Sequence, residues 1–513
     1  MHFTMNNSNL LEIRSALISL YHKEPAREII VKLHEEGVKI YSTGGTLDYI
    51  KSLGIDATSV EEITDYPSVF GGRVKTLHPK VFGGILFRRD NETDLEELAK
   101  FAIPHIDLVM VDLYPFEETV KKDASHQDII EKIDIGGISL IRAAAKNYQH
   151  TWIIPSSEYY SHALEILTTQ DAFTNIDQRR EFAAAAFGVS SHYDTAIFSY
   201  LNEKPEEVFK KSYNASRQLR YGENPHQKGY FFGNLDEVFT QLHGKEISYN
   251  NLLDIDGAMN LISEFQEPTF AIIKHTNACG VASRENIADA WKAALASDPV
   301  SAFGGILIAN RNIEQDSAYD INELFFEVIL APDYSKEALD ILKQKKNRII
   351  LKINSFPQQQ QQFRSAINGV LAQTVNLAET PVENWSIATK LQPDPGISSD
   401  LLFANKLVKH TKSNAIVLVK NGKLLGSGTG QTSRVDALKQ AIAKAKEFGH
   451  ELRGAVMASD AFFPFADSVE IAFKEGVSAV IQPGGSVRDK DSIDFCNENN
   501  MIMVMTGVRH FKH

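Results

Sequence analysis

Val38-Lys39-Ile40-Tyr41-Ser42-Thr43-Gly44-Gly45-Thr46 is the stretch of sequence that decides the fold. Its first six residues form a short apolar run typical of a strand, and two glycines follow at once. Before it, residues 28–36 repeat apolar side chains at helical spacing, and Gly37 suits a helix end. Thr46 is predicted to cap the next helix. Helices and strands that alternate in this way indicate a parallel α/β sheet.

A second predicted strand, Ile106 to Leu113, is almost wholly apolar, as expected of a strand covered on both faces. Ligands of parallel sheets bind beyond the carboxyl ends of the strands. The turn Ser42 to Thr46 could therefore hold a phosphate on its backbone N–H groups, although a plain tight turn is the alternative. The loop Gly71 to Lys80 adds Arg73 and Lys75, unless it is simply a solvated basic loop.

Composition excludes several classes of function. A chain of 513 residues is too long for one ordinary core, and a net charge of −13 disfavours a nucleic acid or a membrane as partner. Two cysteines fit a reducing compartment. The polar stretch Met1 to Asn9 shows no signal peptide, and no apolar run reaches the ~18 residues of a membrane span. A cytoplasmic location is expected.

Polar and proline-rich stretches predict the domain boundaries. We expect one domain over 1–202, a linker over 203–211 that contains Pro205, and a second domain over 212–513. A hinge near 381–396 should divide the second domain into two subdomains. The glutamine run Gln358 to Gln362 is predicted to be a loop insertion.

Lys274 and His275 end the apolar stretch 270–273. Histidine titrates near neutrality, and a neighbouring ammonium should lower its pKa, so the pair suits proton transfer. An ordinary loop histidine is the alternative. Cys279 could be a nucleophile, but no base is indicated for it, and a turn residue fits better.

Four strings carry a family resemblance; they are Arg73-Val74-Lys75-Thr76-Leu77-His78-Pro79, Arg220-Tyr221-Gly222-Glu223-Asn224-Pro225-His226-Gln227, Lys274-His275-Thr276-Asn277-Ala278-Cys279-Gly280 and Ser459-Asp460-Ala461-Phe462-Phe463-Pro464-Phe465. The chain resembles the bifunctional purine biosynthesis family, which joins phosphoribosylaminoimidazolecarboxamide (AICAR) formyltransferase to IMP cyclohydrolase. The resemblance covers almost the whole chain.

The resemblance implies an α/β fold: a methylglyoxal-synthase-like parallel-sheet N-terminal domain, and a C-terminal transferase domain of two cytidine-deaminase-like α/β subdomains. It implies formyl transfer from 10-formyltetrahydrofolate to AICAR, then dehydrative closure of formyl-AICAR to IMP. Zinc, NAD and ATP are not expected. Neither is a nucleic-acid or membrane partner. The family forms homodimers with the transferase sites at the interface.

The resemblance also implies the site residues. Catalytic roles fall on Lys274 and His275 for transfer, and on Lys75, Tyr114, Asp134 and Lys146 for closure. Cyclohydrolase substrate contacts are expected at Lys23, Ser42, Thr43, Gly44, Gly45, Thr46, Arg73, Thr76, Asp112, Ile135, Gly136 and Gly137. Transferase contacts are expected at Arg220, Tyr221, Asn251, Gly304, Glu327, Asn414, Arg434, Phe462, Asp467, Ser486, Val487 and Arg509. No metal ligand is expected.

The sequence departs from the family pattern at two places in the first domain. Tyr21 to Pro25 stand where the family usually has Ser-Asp-Lys-Thr-Gly, so only Lys23 matches. Asp112 replaces a common Asn and brings an extra acid near a phosphate-bearing ligand. A zinc deaminase lacks its ligand set here. The intact candidate catalytic residues argue against the alternative of a non-catalytic nucleotide sensor. The altered segment Tyr21 to Pro25 leaves open a transferase with an impaired cyclohydrolase.

Overall fold

The computed structural model describes residues 10–204, 207–358 and 360–513, so the predictions for Met1 to Asn9, for Pro205 and for Gln359 lie outside the described residues. The chain divides into two compact units, Met1–Asn214 and Ala215–His513. The boundary falls just beyond the predicted linker. Each unit has its own sheets and core.

The first unit is a parallel sheet covered by helices. Its strands are β1 (Leu11–Glu12), β2 (Ser15–Leu20), β3 (Lys39–Ser42), β4 (Ala57–Ser59), β5 (Leu108–Asp112), β6 (Trp152–Ile154) and β7 (Phe173–Thr174). Its helices are α1 (Arg27–Glu35), α2 (Gly44–Ser52), α3 (Val60–Thr64), α4 (Pro79–Leu86), α5 (Glu92–Lys100), α6 (Phe116–Lys121), α7 (His126–Ile130), α8 (Gly136–Lys146), α9 (Tyr160–Thr169) and α10 (Ile176–Leu201).

The main sheet of this unit has the order β4-β3-β2-β5-β6, and all its pairings are parallel. The predicted parallel α/β sheet is therefore confirmed. Strand β2 lies at its centre, and α1 packs Ile29, Ile30 and Leu33 into the core. The carboxyl ends of β2, β3 and β5 meet at one edge, where ligands of such sheets bind.

The prediction that Thr46 caps a helix is wrong. The extended residue before α2 is Thr43, and Thr46 lies inside the first turn. The Thr46 hydroxyl donates to the carbonyl of Leu20 at 3.0 Å and accepts the N–H of Leu20 at 2.9 Å. Thr46 therefore ties α2 to the end of β2, which is a structural task.

The second unit contains two larger sheets and two small ones. Its strands are β8 (Ser216–Leu219), β9 (Gly229–Phe232), β10 (Phe239–His243), β11 (Thr269–Lys274), β12 (Asn277–Ser283), β13 (Ile306–Ala309), β14 (Val328–Ala331), β15 (Ile349–Ile353), β16 (Gln361–Ala366), β17 (Gly369–Thr374), β18 (Ser386–Ile387), β19 (Ile416–Val419), β20 (Leu424–Gly428), β21 (Val456–Ser459), β22 (Ala479–Gln482) and β23 (Ile502–Met505). Its helices are α11 (Tyr249–Ile262), α12 (Ile287–Leu295), α13 (Pro299–Ala302), α14 (Gln315–Asn322), α15 (Lys336–Leu342), α16 (Pro395–Lys409), α17 (Arg434–Glu447), α18 (Asp467–Lys474) and α19 (Asp489–Glu498).

The two larger sheets repeat one topology. The first has the order β10-β15-β14-β13-β11-β12, and the second has the order β18-β23-β22-β21-β19-β20. In both, the first strand pairs antiparallel at one edge, and a hairpin closes the other. Helix α11 precedes the hairpin of the first sheet, and α16 precedes that of the second. The unit is thus built from two copies of one fold.

The two copies share an apolar core. Ile273 and Leu330 of the first copy belong to the same buried cluster as Leu401, Val417 and Ile481 of the second. The predicted hinge at 381–396 does contain β18, the first strand of the second sheet. The segment therefore leads from the first sheet into the second, and both sheets pack against the same core.

Strands β16 and β17 form a separate hairpin. Gln361 and Gln362 begin β16, so the prediction of a loop is wrong for this end of the glutamine run. Most of the hairpin is exposed, including Leu371 and Ile367. Among the helices of the described ranges, none combines the length and the apolar character needed to cross a membrane.

Candidate active sites

Two ammonium groups meet the start of α2 in the first unit. A Cβ on Gly44 would lie 3.2 Å from the Lys75 Nζ, and one on Gly45 would lie 3.5 Å from the Lys23 Cε. Gly44 also has φ +53, a conformation that glycine adopts without strain. Backbone N–H groups at a helix start, with two lysines beside them, suit a phosphate.

Asp134 lies two residues before α8, near the carboxyl ends of the strands of the main sheet. Its Oδ1 accepts the N–H of Gly137 at 2.6 Å, and a Cβ on Gly137 would come within 2.6 Å of the Oδ2. Burial raises the pKa of the Asp134 carboxyl, and the charge of Lys75 opposes that rise. Burial, and then the charge of Asp134, raises the pKa of the Tyr114 phenol. An acid, a phenol and an ammonium therefore interact in one place.

The basic loop reaches the same helix start. A Cβ on Gly136 would lie 3.1 Å from the Thr76 hydroxyl, which is buried. Ile135 beside it is exposed, while the Arg73 guanidinium pairs with Glu131. The structure thus brings Thr76, Gly136 and Gly137 together, and it gives Arg73 a protein partner.

Other predicted residues have structural surroundings. The Ser42 hydroxyl is fully buried and donates to the carbonyl of Ile18 at 2.8 Å. Thr43 is the residue before α2, and its hydroxyl lies 3.4 Å from a carboxylate oxygen of Glu61. Lys146 is exposed at the end of α8, about 15 Å along the helix axis from Gly136 at 1.5 Å per residue. The structure does not bring Lys146 to the helix start.

The two departures from the family pattern contact each other. The main-chain N–H of His22 donates to the Asp112 Oδ2 at 2.7 Å, and the His22 Nδ1 lies 3.0 Å from the same oxygen. The Lys23 ammonium donates back to the carbonyl of Tyr21 at 3.0 Å. Asp112 therefore fastens the segment that carries Lys23 to the end of β5.

Lys132 and Tyr21 were not foreseen from the sequence. The Lys132 Nζ lies 5.2 Å from the ring centre of Tyr21 and 5.8 Å from that of Tyr114. The Tyr21 and Tyr114 rings meet edge to face, with centres 5.6 Å apart. At exposed rings such as these, each cation–π contact contributes about 0.5–1 kcal/mol. No spacing in the sequence signals this contact, because it joins three separate segments.

In the second unit, His275 and Thr276 form the two-residue turn between β11 and β12. Lys274 pairs with Asn277 on either side of it. His275 has φ +50 and Thr276 has φ +62. Two positive φ values are the pattern of a type I′ hairpin turn, which favours Asn-Gly. A β-branched Thr in this conformation is strained.

The second copy of the fold has the same turn with the favoured sequence. Asn421 and Gly422, between β19 and β20, have φ +51 and +59. Lys420 precedes them, as Lys274 precedes His275. The strained turn of the first copy therefore stands where the second copy has an unstrained one.

Asp254 holds the strained turn, a contact that no sequence motif predicts. From α11, its Oδ1 accepts the N–H of Thr276 at 2.6 Å. Burial raises the pKa of the Asp254 carboxyl; the Thr276 N–H and then the charge of His275 act in the opposite direction. The carboxylate thus lies beside the predicted base.

Lys274 and Gly304 meet beside this turn. The Lys274 ammonium donates to the carbonyl of Phe303, and a Cβ on Gly304 would lie 3.4 Å from the Nζ. Gly304 has φ +70, and its N–H donates to the carbonyl of Phe325 at 2.8 Å. Glycine at this position leaves room above the ammonium, where a ligand could approach.

Cys279 is neither a turn residue nor a nucleophile in this structure. It lies in β12, at the register shift where Ile272 pairs with Gly280 and Ile273 with Ala278. A β-bulge of this kind re-aims one side chain. Burial raises the pKa of the Cys279 thiol to about 12. Leu425 takes the equivalent place in the second copy, so the thiol serves as a small apolar side chain.

Arg434 is buried and paired within the protein. Its Nη1 donates to the Asp460 Oδ1 at 2.6 Å, and its Nη2 donates to the Asn414 Oδ1 at 3.1 Å. The Ser413 hydroxyl donates to the other oxygen of Asp460 at 2.5 Å. Arg434 therefore orients Asn414, and its charge is balanced by Asp460.

The remaining predicted transferase residues are spread over several segments. Arg220 lies over the ring of Tyr221 at 4.6 Å, and Glu327 forms an ion pair with Lys245 at 2.6 Å. Asn251 completes the capping box of α11 with Ser248, a structural role. The others are mostly exposed or lie in turns: Phe462, Asp467, Ser486, Val487 and Arg509. Within the ranges that the structure describes, no group of three or more His, Cys, Asp or Glu side chains could hold a metal.

Known proteins are similar to this chain over nearly its full length. Residues 144–444 match the family described as "AICARFT/IMPCHase bienzyme", and residues 26–139 match the "MGS-like domain". The "Bifunctional purine biosynthesis protein PurH" of Bacteroides thetaiotaomicron is 60% identical over 98% of this chain and 99% of its own length. The protein of the same name from Aquifex aeolicus is 46% identical over 97% of this chain and 100% of its own length.

Proposed function

Because the chain belongs to the bifunctional AICAR formyltransferase and IMP cyclohydrolase family, we propose that its two units divide the two reactions between them. The enzyme transfers a formyl group to AICAR and closes formyl-AICAR to IMP, the final steps of purine biosynthesis. Its formyl donor is of the folate type.

We assign ring closure to the first unit. The phosphate of formyl-AICAR binds at the start of α2, between Lys23 and Lys75, with Thr76 beside Gly136. Closure needs a proton removed from the carboxamide nitrogen and a proton delivered as water departs. Tyr114 and Asp134 interact at that edge, and burial raises the pKa of both groups, which favours the protonated form of each as a proton donor to the ligand.

We assign formyl transfer to the turn at His275. The amine of AICAR is a weak nucleophile, so His275 accepts a proton as the nitrogen attacks the formyl carbon of 10-formyltetrahydrofolate. The Lys274 ammonium stabilises the oxygen on which negative charge develops, or protonates the departing folate nitrogen. The observation that carries this assignment is the strained turn, since the sister copy has Asn421 and Gly422 there.

We also propose that the enzyme is a homodimer that works in the cytoplasm. The hairpin β16–β17 supports the dimer, because a two-stranded sheet exposed along its length is marginal alone. Leu371 is 58% exposed and Ile367 104% exposed. Substituting Ile367→Asp and Leu371→Asp together should shift the sedimentation coefficient towards that of a monomer. An unchanged dimer would remove this support.

One experiment tests the assignment of both activities. The enzyme is supplied with AICAR and 10-formyltetrahydrofolate, and the release of tetrahydrofolate and the formation of IMP are followed separately. Both should be enzyme-dependent. Absence of folate turnover would contradict the transferase, and would favour a nucleotide sensor. Accumulation of formyl-AICAR without accelerated closure would leave a transferase alone.

A further inference from the structure

An aspartate outside the predicted site residues appears at equivalent positions in both copies of the fold. Asp254 lies in α11 and Asp400 lies in α16, at the same place in the two copies of the fold. The Asp400 Oδ2 accepts the N–H of Asn421 at 2.7 Å, and its Oδ1 accepts that of Gly422 at 2.7 Å. Each acid therefore reaches the hairpin turn of its own sheet.

The correspondence extends to the spacing along the chain. The acid and the second turn residue are 22 residues apart in both copies. In each copy a lysine, Lys274 or Lys420, comes directly before the two turn residues with positive φ. The acid, the lysine and the turn are thus one repeated arrangement.

The two copies differ in the residues that form the turn. Asn421-Gly422 adopts positive φ readily, so Asp400 secures a turn that its own sequence already favours. His275-Thr276 does not favour this conformation, and Thr276 resists it most because it is β-branched. An external partner must therefore hold the second turn residue in place.

We propose that Asp254 is a positioning residue of the transfer site, whose carboxylate holds the His275-Thr276 turn and thereby aims the His275 imidazole. The proposal rests on the assignment of His275 as the base. Asp254 accepts the Thr276 N–H at 2.6 Å, so it acts on the histidine through the backbone. A charge-assisted hydrogen bond of this kind is about twice as strong as a neutral one.

Asp400 supplies a matched control that few enzymes offer. Asp254→Ala and Asp400→Ala delete the same side chain from the same place in two copies of one fold. Both should lower the melting temperature of the unit. Only Asp254→Ala should lower kcat for formyl transfer, by roughly tenfold or more, with KM for AICAR changed less than about threefold.

Asp254→Asn keeps an oxygen that can accept the Thr276 N–H, so it should recover most of the lost kcat. Closure of supplied formyl-AICAR should be unchanged in all three variants, because that site lies in the other unit. Equal losses of transfer in Asp254→Ala and Asp400→Ala would overturn the proposal, since Asp254 would then be a fold residue only.

Two further outcomes also test the role of Asp254. If Asp254→Asn is as inactive as Asp254→Ala, transfer depends on the negative charge of Asp254 and not on its hydrogen bond to the turn. The positioning role is then refuted. If His275→Ala keeps full transfer activity, the assignment of the base has failed instead. The variants thus distinguish a failure of this inference from a failure of the function on which it rests.

Discussion

His22 and Asp112 are joined twice, through the main-chain N–H of His22 at 2.7 Å and its Nδ1 at 3.0 Å, both to the Asp112 Oδ2. They occupy the two places in the first unit where the family resemblance implies other residues, an acid at the first place and an amide at the second. Here an imidazole stands at the first place and the acid at the second.

This exchange predicts a rescue. His22→Asp puts two carboxylates side by side, and closure of supplied formyl-AICAR should fall roughly tenfold or more because they repel each other. His22→Asp with Asp112→Asn lets the new amide donate to the new acid, and closure should return to within about threefold of wild type. His34→Asp on the exposed face of α1 is the control. A double variant no better than His22→Asp would show that the contact is incidental.

Replacing the strained turn at His275 should stabilise the protein and abolish formyl transfer. His275→Asn with Thr276→Gly installs the turn of the second copy, and the free energy of unfolding should rise by about 1 kcal/mol or more. Formyl transfer should be lost. The reverse exchange, Asn421→His with Gly422→Thr, should lower the thermal midpoint and keep transfer. Calorimetry with the folate assay checks both, and a lower midpoint for the first variant would disprove the strain.

Removing the predicted base should affect one reaction only. His275→Ala deletes the imidazole that accepts the proton, so formyl transfer should fall at least about 100-fold. Closure of supplied formyl-AICAR should persist at the wild-type rate. The release of tetrahydrofolate and the formation of IMP, measured separately, give the two rates. Undiminished transfer would exclude His275 as the base.

Lys75→Ala should show the reverse pattern. It removes an ammonium from the start of α2 and from beside Asp134, so closure should fall about 100-fold or more while formyl transfer continues. Formyl-AICAR should accumulate when both substrates are supplied. Lys32→Ala on α1 is the control for loss of a lysine. If a folded Lys75→Ala protein lost both activities, the two sites would not be separate.

A buried acid in the second unit predicts how stability depends on pH. Burial alone would raise the pKa of the Glu264 carboxyl, but hydrogen bonds and charges from His410 and Lys409 lower it from 4.5 to about 2. A carboxyl whose pKa is lowered by folding stabilises the folded state at pH values above its ordinary pKa. That stabilisation is lost as the pH falls from about 4.5 to about 2.

Glu264→Gln should therefore lower the unfolding midpoint at pH 7, and its midpoint should change less than that of wild type between pH 5 and pH 2. It also leaves the Lys409 ammonium, which is 7% exposed, without its carboxylate. Asp494→Asn in an exposed ion pair should leave the midpoint unchanged. Parallel denaturation curves for wild type and Glu264→Gln at all pH values would contradict the assignment.

Local signals predicted much of the first unit. The apolar runs around Ile40 and Val109 are strands, and the helix ends near Gly37 as expected. The cap at Thr46 was wrong because residue type was the only guide, whereas the extended backbone before α2 belongs to Thr43. The central strand β2 was not identified, although Ala16, Leu17 and Ile18 are buried.

The residues of the sites were also predictable only where a local signal marks them. The proposed site residues at a strand end or a glycine turn, such as Lys274 and Gly137, could be located from the sequence. Asp254 and Lys132 could not, because their partners come from distant segments brought together only by packing. Two subdomains of one fold in the second unit were expected from the family resemblance alone, because the two copies share topology more than sequence.

The single apolar core beneath both sheets of the second unit bears on how that unit assembles. Neither copy can bury its inner face until the other is present, since Ile273 and Val417 line one cluster. Folding of either half alone would leave a broad apolar surface open to water and to aggregation. We therefore expect the half-chains to associate before either is stable, so that the duplicated fold unfolds in one cooperative transition.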